Sequence, residues 1–308
     1  MIKQKITSNS LNNHLANIKP DKIDIFLLNN GTVRGAFLHG TKMINQMRVN
    51  HNLGILETLA LGQSYMGIGL MTSMIKGNDR ISFAIECGGP IKGISVEAGA
   101  DGRVRGYLFV NPIPLLKPLD SFDLSPFFGP GFLSVTKHLE SSKQPFTGQV
   151  MLQHGRIAKD LANYFLESEQ INTAFVLSVY FDKEGMAAGA GGMFLQALPG
   201  AEDSALEMLE ESINNMPSLG KYFAGGGSSK HLISESFSNF QPNIIADKPV
   251  TFDCDCSKER FTSFIASMKN SDKEDILKNG PFPLVTTCHN CGTDYEFSKE
   301  ELQAVFSN

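Results

Sequence analysis

Asp253-Cys254-Asp255-Cys256 and Cys288-His289-Asn290-Cys291-Gly292, with 31 residues between the inner cysteines, decide how the rest of this chain is read. Two close cysteine pairs meeting across a loop make a four-thiolate site. Zn²⁺ favours tetrahedral sulfur, and paired cysteines arrive already collected by the backbone. The second pair has the knuckle form, in which Gly292 lets the backbone turn its amide N–H groups toward the sulfurs. The first pair, C-x-C, has the tighter bite. One Zn²⁺ per chain is expected on Cys254, Cys256, Cys288 and Cys291.

A zinc-bound cysteine is held as thiolate, the nucleophilic and oxidisable form, whereas a free thiol of pKa about 8.5 is mostly protonated at neutral pH. If an oxidant converts one sulfur to a sulfenic acid, a neighbour two or three residues away can condense with it into a disulfide. The site then loses its ligands. It also loses the folding free energy that the metal supplied, about 10 kcal/mol or more in small zinc peptides. The spacing alone leaves two readings open, an inert structural clip and a redox switch.

Val250–Arg260 (VTFDCDCSKER) and Cys288–Phe297 (CHNCGTDYEF) resemble the C-terminal switch of the heat-shock protein 33 group, the redox-regulated holdases also called 33 kDa chaperonins. The resemblance continues upstream in Val33–Gly35 (VRG), Tyr164–Gln170 (YFLESEQ) and Ala187–Gln196 (AAGAGGMFLQ), so it covers nearly the whole chain. All four ligand positions follow the family pattern. The resemblance implies an ATP-independent chaperone that is compact and poorly active while reduced and zinc-loaded. It further implies that oxidant and heat pair Cys254 with Cys256 and Cys288 with Cys291 and expel the zinc. The C-terminal part and the linker before it then lose structure and expose apolar surface to unfolding client proteins. The active form is implied to be a homodimer. The implied pairing agrees with the low loop-closure cost of joining near neighbours.

The bounds fit that expectation. A chain of 308 residues with 42% hydrophobic content can bury a sizeable core in two or three domains. A net charge of −5 gives no general pull toward nucleic acid. Residues 251–308 carry six Lys/Arg against ten Asp/Glu, the wrong sign for a zinc ribbon that binds phosphate. Cys87 is the only cysteine outside the cluster. Five cysteines so arranged suit a reducing compartment, and no apolar run opens the chain as a signal peptide would, so a cytoplasmic location is expected. Leu53–Ile75 is 23 residues with one charge, Glu57, long enough for a membrane span. Its four glycines, with Gln63, Ser64 and Thr72, favour a buried helix of a soluble domain, and no membrane association is expected.

Alternation predicts strands at Lys22–Asn29, Thr32–Leu38, Arg80–Glu86, Ile91–Glu97, Arg103–Phe109, Phe132–Leu139, Thr147–Gln153, Asn172–Phe181 and Gly191–Leu198. Helices are expected at Thr41–Asn50, in the long apolar stretch and at Arg156–Ser168. Asn111–Pro130, with five prolines, reads as loop. Runs of strands with helices between them and no regular βαβ alternation indicate the α+β class. Beyond Pro199 the composition changes. A helix is expected over Glu202–Met216, stopped by Pro217, and a marginal one over His231–Phe240 after the flexible Gly225–Ser229. Isolated helices shorter than about 12–15 residues barely form in water, so these depend on packing. Three parts result: a core over 1–198, a metastable helical linker over 199–249 and a zinc-binding switch over 250–308.

Enzymatic signatures are missing, and a non-enzymatic role is expected. Gly185–Gly192 lacks the third glycine of a dinucleotide loop and reads as hairpin-turn glycines; no glycine-lysine step continues into Ser or Thr. His289 lies between two ligands, but four sulfurs already fill a tetrahedron. Cys87 is expected to be a bystander. One alternative is a thiol oxidoreductase using Cys288-His289-Asn290-Cys291. That motif normally opens a helix, whereas this one is flanked by strand-like Val285–Thr287 and Tyr295–Phe297.

Overall fold

The computed structural model describes residues 1–115, 118 and 121–306. The chain opens with α1 (Asn9–Asn17), whose first turn is capped by the Ser8 hydroxyl accepting from the Leu11 N–H. There follow β1 (Lys22–Leu28), β2 (Val33–His39), α2 (Thr41–Asn50) and α3 (Ile55–Met71). Next come β3 (Arg80–Cys87), β4 (Gly93–Gly99), β5 (Arg103–Leu108), α4 (Ser125–Phe128), β6 (Gly131–His138) and β7 (Phe146–Met151). The first half closes with α5 (Ile157–Ser168), β8 (Thr173–Phe181) and β9 (Ala187–Ala197). Three helices, α6 (Asp203–Asn214), α7 (Leu219–Ala224) and α8 (Ser229–Ser236), lead to β10 (Asn243–Pro249) and β11 (Thr251–Phe252). The C-terminal part holds α9 (Lys258–Ala266), α10 (Asn270–Asn279), β12 (Leu284–Cys288), β13 (Thr293–Phe297) and α11 (Lys299–Phe306).

These strands form a five-stranded sheet ordered β10-β1-β2-β9-β8, a six-stranded sheet ordered β11-β5-β4-β3-β6-β7, and the small β12-β13 hairpin. Helices α2, α3 and α5 fill the space between the sheets. α3 is apolar all round and is buried from Leu56 to Met71 apart from Gln63, as such a helix requires. It touches β2, β3, β4, β5, β8 and β9, so it is the axle of the α+β core. No helix among the described residues is long and apolar enough to cross a membrane.

The outer face of the five-stranded sheet carries a second apolar cluster. Phe26, Val33, Phe37, Met193 and Leu195 of the sheet meet Leu209, Leu219, Phe223, Leu232, Ile233 and Phe237 of α6, α7 and the α8 end. Phe26, Phe37 and Phe237 form a mutual cluster, with ring centroids 5.8, 6.0 and 6.4 Å apart. β9 is therefore buried on both faces, which explains its lack of alternation.

Several expectations change. The glycines of Gly185–Gly192 are not turn glycines beyond Gly185: Gly189, Gly191 and Gly192 lie inside β9. A Cβ at Gly189 would overlap the Gly220 carbonyl, and one at Gly191 the Phe223 ring, so they are small to admit α7. The proline-rich stretch contains α4, while Leu116, Lys117, Leu119 and Asp120 of it lie outside the described residues. The second linker helix runs over Ser229–Ser236, ending before Phe237, and residues 243–249 of the same stretch pair with β1 as the edge strand β10.

Candidate metal centre

The four cysteines arrive from two directions. β11 runs parallel to β5, with Thr251 opposite Arg103 and Phe252 opposite Val104, and the Asp253 N–H donates to the Val104 carbonyl at 3.1 Å. This delivers Cys254 and Cys256 along the sheet edge. Cys288 ends β12, and the chain turns back before β13 with Cys291 and Gly292 N–H groups donating to the Cys288 carbonyl at 3.2 and 2.8 Å. Gly292 has φ +64, the left-handed region expected of a knuckle glycine.

All four Sγ atoms lie within 4.8 Å of one another, and all four side chains are buried. Cys254 Sγ is 3.9 Å from Cys288 Sγ, and Cys256 Sγ is 3.4 Å from Cys291 Sγ. The sulfurs belong to the main apolar core, beside Phe252, Tyr295 and Phe297. His289 is not among the converging donors; its ring lies against Tyr107 at 5.5 Å. Cys87 sits half-buried at the end of β3, outside the cluster, with its thiol pKa raised by burial.

The donor set fits a bound cation. Hydrogen bonds from Cys288 and Cys291 hold the Cys254 thiol far below its ordinary pKa, with burial opposing them. The donors pay the complementary shift: Cys288 rises to about 11 and Cys291 higher, chiefly because each shares its proton with Cys254. Four thiolates together need a positive ion between them.

Side chains around the sulfurs fix them further, and sequence reading did not find them. The Tyr295 hydroxyl donates to the Cys256 carbonyl at 3.0 Å and lies 3.2 Å from its sulfur. Thr293 Oγ1 is 3.2 Å from Cys291 Sγ. Asn50, at the end of α2, donates from Nδ2 to the Cys291 carbonyl at 3.1 Å and to the Ile2 carbonyl at 2.9 Å. Arg105 of β5 donates to Cys254 Sγ at 3.7 Å, to Glu97 Oε1 at 3.0 Å and to Asp255. The one sequence signal was a charge pattern: Arg103-Val104-Arg105 repeats with opposite sign in Asp253-Cys254-Asp255.

Comparison with known proteins settles the family. The Hsp33 protein family model matches residues 21–298. This chain belongs to the Hsp33 family. It is 34% identical over 280 residues to a 33 kDa chaperonin of Lachnoclostridium phytofermentans, covering 90% of this chain and 95% of that one. A 33 kDa chaperonin of Geobacter sulfurreducens is 32% identical over 296 residues, covering 96% and 98%. The crystal structure of a 33 kDa chaperonin (heat shock protein 33 homolog) from Thermotoga maritima superposes with a TM-score of 0.83 at 29% identity, covering 94% of this chain and 98% of that one. Hsp33 membership assigns a chaperone role, and with it the binding of client proteins.

Proposed function

We propose that this chain is a redox-regulated, ATP-independent holdase whose four cysteines carry one Zn²⁺ while reduced. Bound to Cys254, Cys256, Cys288 and Cys291, Zn²⁺ would act as a Lewis acid that keeps all four sulfurs as thiolates and would tie residues 250–308 together. The observation that carries the reading is the convergence of Cys254, Cys256, Cys288 and Cys291 at the end of the passage, β10 and β11, that leads on from the helices covering an apolar sheet face.

Oxidation acts on the cysteines in pairs, Cys254 with Cys256 and Cys288 with Cys291. In each pair one thiolate attacks peroxide, breaks its O–O bond and becomes a sulfenic acid, releasing hydroxide. The second sulfur displaces the sulfenic oxygen, and the S–S bond forms. Two electrons per pair pass to the peroxide, which leaves as two waters after taking up two protons. Disulfide sulfurs are neutral and no longer hold the ion.

The consequences follow the chain. Cys254 is joined through β11 directly to β10, and β10 to α8. Lys248 of β10 donates to the carbonyls of Thr72 at 2.8 Å and Ala100 at 3.1 Å, pinning this passage to the core. Once residues 250–257 lose their anchor, β10 frays at the sheet edge and α6–α8 lose their seat. That bares Phe26, Val33, Phe37 and Leu195, an apolar surface fit for unfolding clients. The division into a core over 1–198, a linker over 199–249 and a switch over 250–308 belongs to this proposal. So do a homodimeric active form, a cytoplasmic location, and roles in neither catalysis nor nucleic-acid binding.

The test compares reduced, zinc-loaded protein with peroxide-treated protein in suppressing aggregation of a heat-denatured client. Suppression by the oxidised form alone, reversed by thiol reductant and zinc, is expected. Equal suppression by both forms would make the centre a structural clip. Turnover of insulin disulfides would favour the oxidoreductase alternative.

A further inference from the structure

β5 grips both cysteine pairs with two consecutive residues. The Gly106 N–H donates to the Asn290 carbonyl at 3.1 Å, holding the C-x-x-C turn. Arg105 holds the C-x-C arm through Cys254 Sγ and the Asp255 carboxylate. Its own position is set from behind, because Glu97 is its cross-strand partner on β4 and accepts from Nη2. Among the described residues Arg105 is the only basic side chain with a hydrogen bond to one of the four sulfurs.

Four thiolates around a dication leave the centre negative, and its sulfurs are screened from water. A guanidinium in hydrogen-bond contact offsets part of that excess at short range, where the local dielectric is low. A disulfide sulfur offers no such charge. Resting on the zinc-holdase reading above, we propose that Arg105 is a positioning residue of the cysteine centre: it docks the C-x-C arm on β5 while Cys254 is a thiolate and loses that hold when Cys254 joins a disulfide. The same contact then serves metal retention in the reduced state and release in the oxidised one. Asp255 completes the clamp on the solvent side, where Arg260 also reaches it at 2.9 Å.

The experiment measures zinc affinity of the reduced full-length chain by competition with a chromogenic chelator, at low and at high salt. Wild type, Arg105→Gln and Arg105→Lys are compared, with circular dichroism as the folding control. Wild type is expected to bind one zinc per chain, less tightly as salt rises. Arg105→Gln is expected to bind about tenfold more weakly, the usual cost of removing a partner of a metal ligand, and to lose most of the salt dependence. Arg105→Lys is expected to regain much of both. Equal affinity of wild type and Arg105→Gln would overturn the inference, as would equal losses in the Gln and Lys variants with salt dependence intact. If Arg105→Gln does not fold, Glu97→Ala decides: it removes the carboxylate that holds Arg105 in place from β4, and zinc affinity is expected to fall several-fold, whereas unchanged affinity would overturn the inference. Failure of the wild type to bind zinc at all would overturn the metal reading and this inference together.

Discussion

The Ser229 hydroxyl, at the first residue of α8, donates to the carboxylate of Asp24, which is fully buried on β1. Lys22 supplies the other partner at 2.6 Å. A charge buried on a sheet face is costly unless its acceptor capacity is filled. Here it is filled by the helix that must leave for the sheet face to open, so linker docking and satisfaction of Asp24 are one event.

Ser229→Ala removes that donor without crowding the helix. The loss should be about 1–3 kcal/mol, the cost of an under-satisfied buried acceptor, and should fall on α8 rather than on the core. Limited proteolysis near Gly225–Gly227 should speed up in the reduced protein, with some holding activity appearing before any oxidant is added. Unchanged proteolysis would mean that α8 is held by its apolar contacts alone.

His39 ties the same surface to pH. Burial, with the nearby positive Lys42, lowers its pKa from 6.5 to about 4, and its ring stacks on Phe223 of α7 at 4.6 Å. Below pH 6.5 the unfolded chain takes up a proton that the native imidazole refuses. Stability from this group is therefore complete above pH 6.5 and falls as pH drops toward 4, by about 2 kcal/mol at pH 5. In urea melts the change in stability between pH 7 and pH 5 should differ between wild type and His39→Gln by about 2 kcal/mol. The difference between the two proteins is the readout, because His51, lowered by burial to about 4, and Asp21, raised by burial to about 7, contribute their own pH dependence to both.

Much of this arrangement was legible in the sequence, for physical reasons. Cysteine spacing reports the convergence of the four sulfurs because the backbone itself collects each pair, and α3 was readable because its glycines and polar side chains mark an apolar helix that is buried in a protein core. α7 was not readable: Leu219–Ala224 has six residues and no side-chain cap, and it exists because Gly189 and Gly191 make room for it. β10 was passed over because Asn243–Pro249 lies mostly exposed at a sheet edge and shows no buried alternation. Arg105 was hidden for another reason. Its contact with Cys254 spans 149 residues, and nothing local marks a strand arginine as the neighbour of a thiolate.

Gly292 offers a stringent test of the knuckle's docking. With φ +64 and the Asn50 carbonyl pressed against the space a Cβ would take, Gly292→Ala meets both backbone strain and collision. The cost should be about 1–3 kcal/mol from the backbone conformation alone. Chelator should strip zinc from this variant faster than from wild type, while the thermal transition of α3 and the two large sheets stays in place.

Removing the metal from reduced protein should unfold the C-terminal part selectively. α10 fully buries no residue, α9 only Ile265 and α11 only Leu302, so besides the cysteine centre these helices are held mainly by half-buried side chains such as Phe261, Ile276 and Val305. Chelation should therefore lower helical ellipticity while leaving β3–β6 protected. No loss of ellipticity would mean that the hairpin and its apolar contacts suffice.

Hydrogen exchange read by mass spectrometry, before and after peroxide at raised temperature, addresses most directly the claim that oxidation of the cysteine centre unseats the linker helices. Peptides spanning α7, α8 and β10 should pass from protected to nearly unprotected, together with α9–α11, while α3 and β3–β6 keep their protection. If both disulfides form and holding activity rises while α7 and α8 remain protected, the apolar face beneath them is not what binds clients, and the account is contradicted.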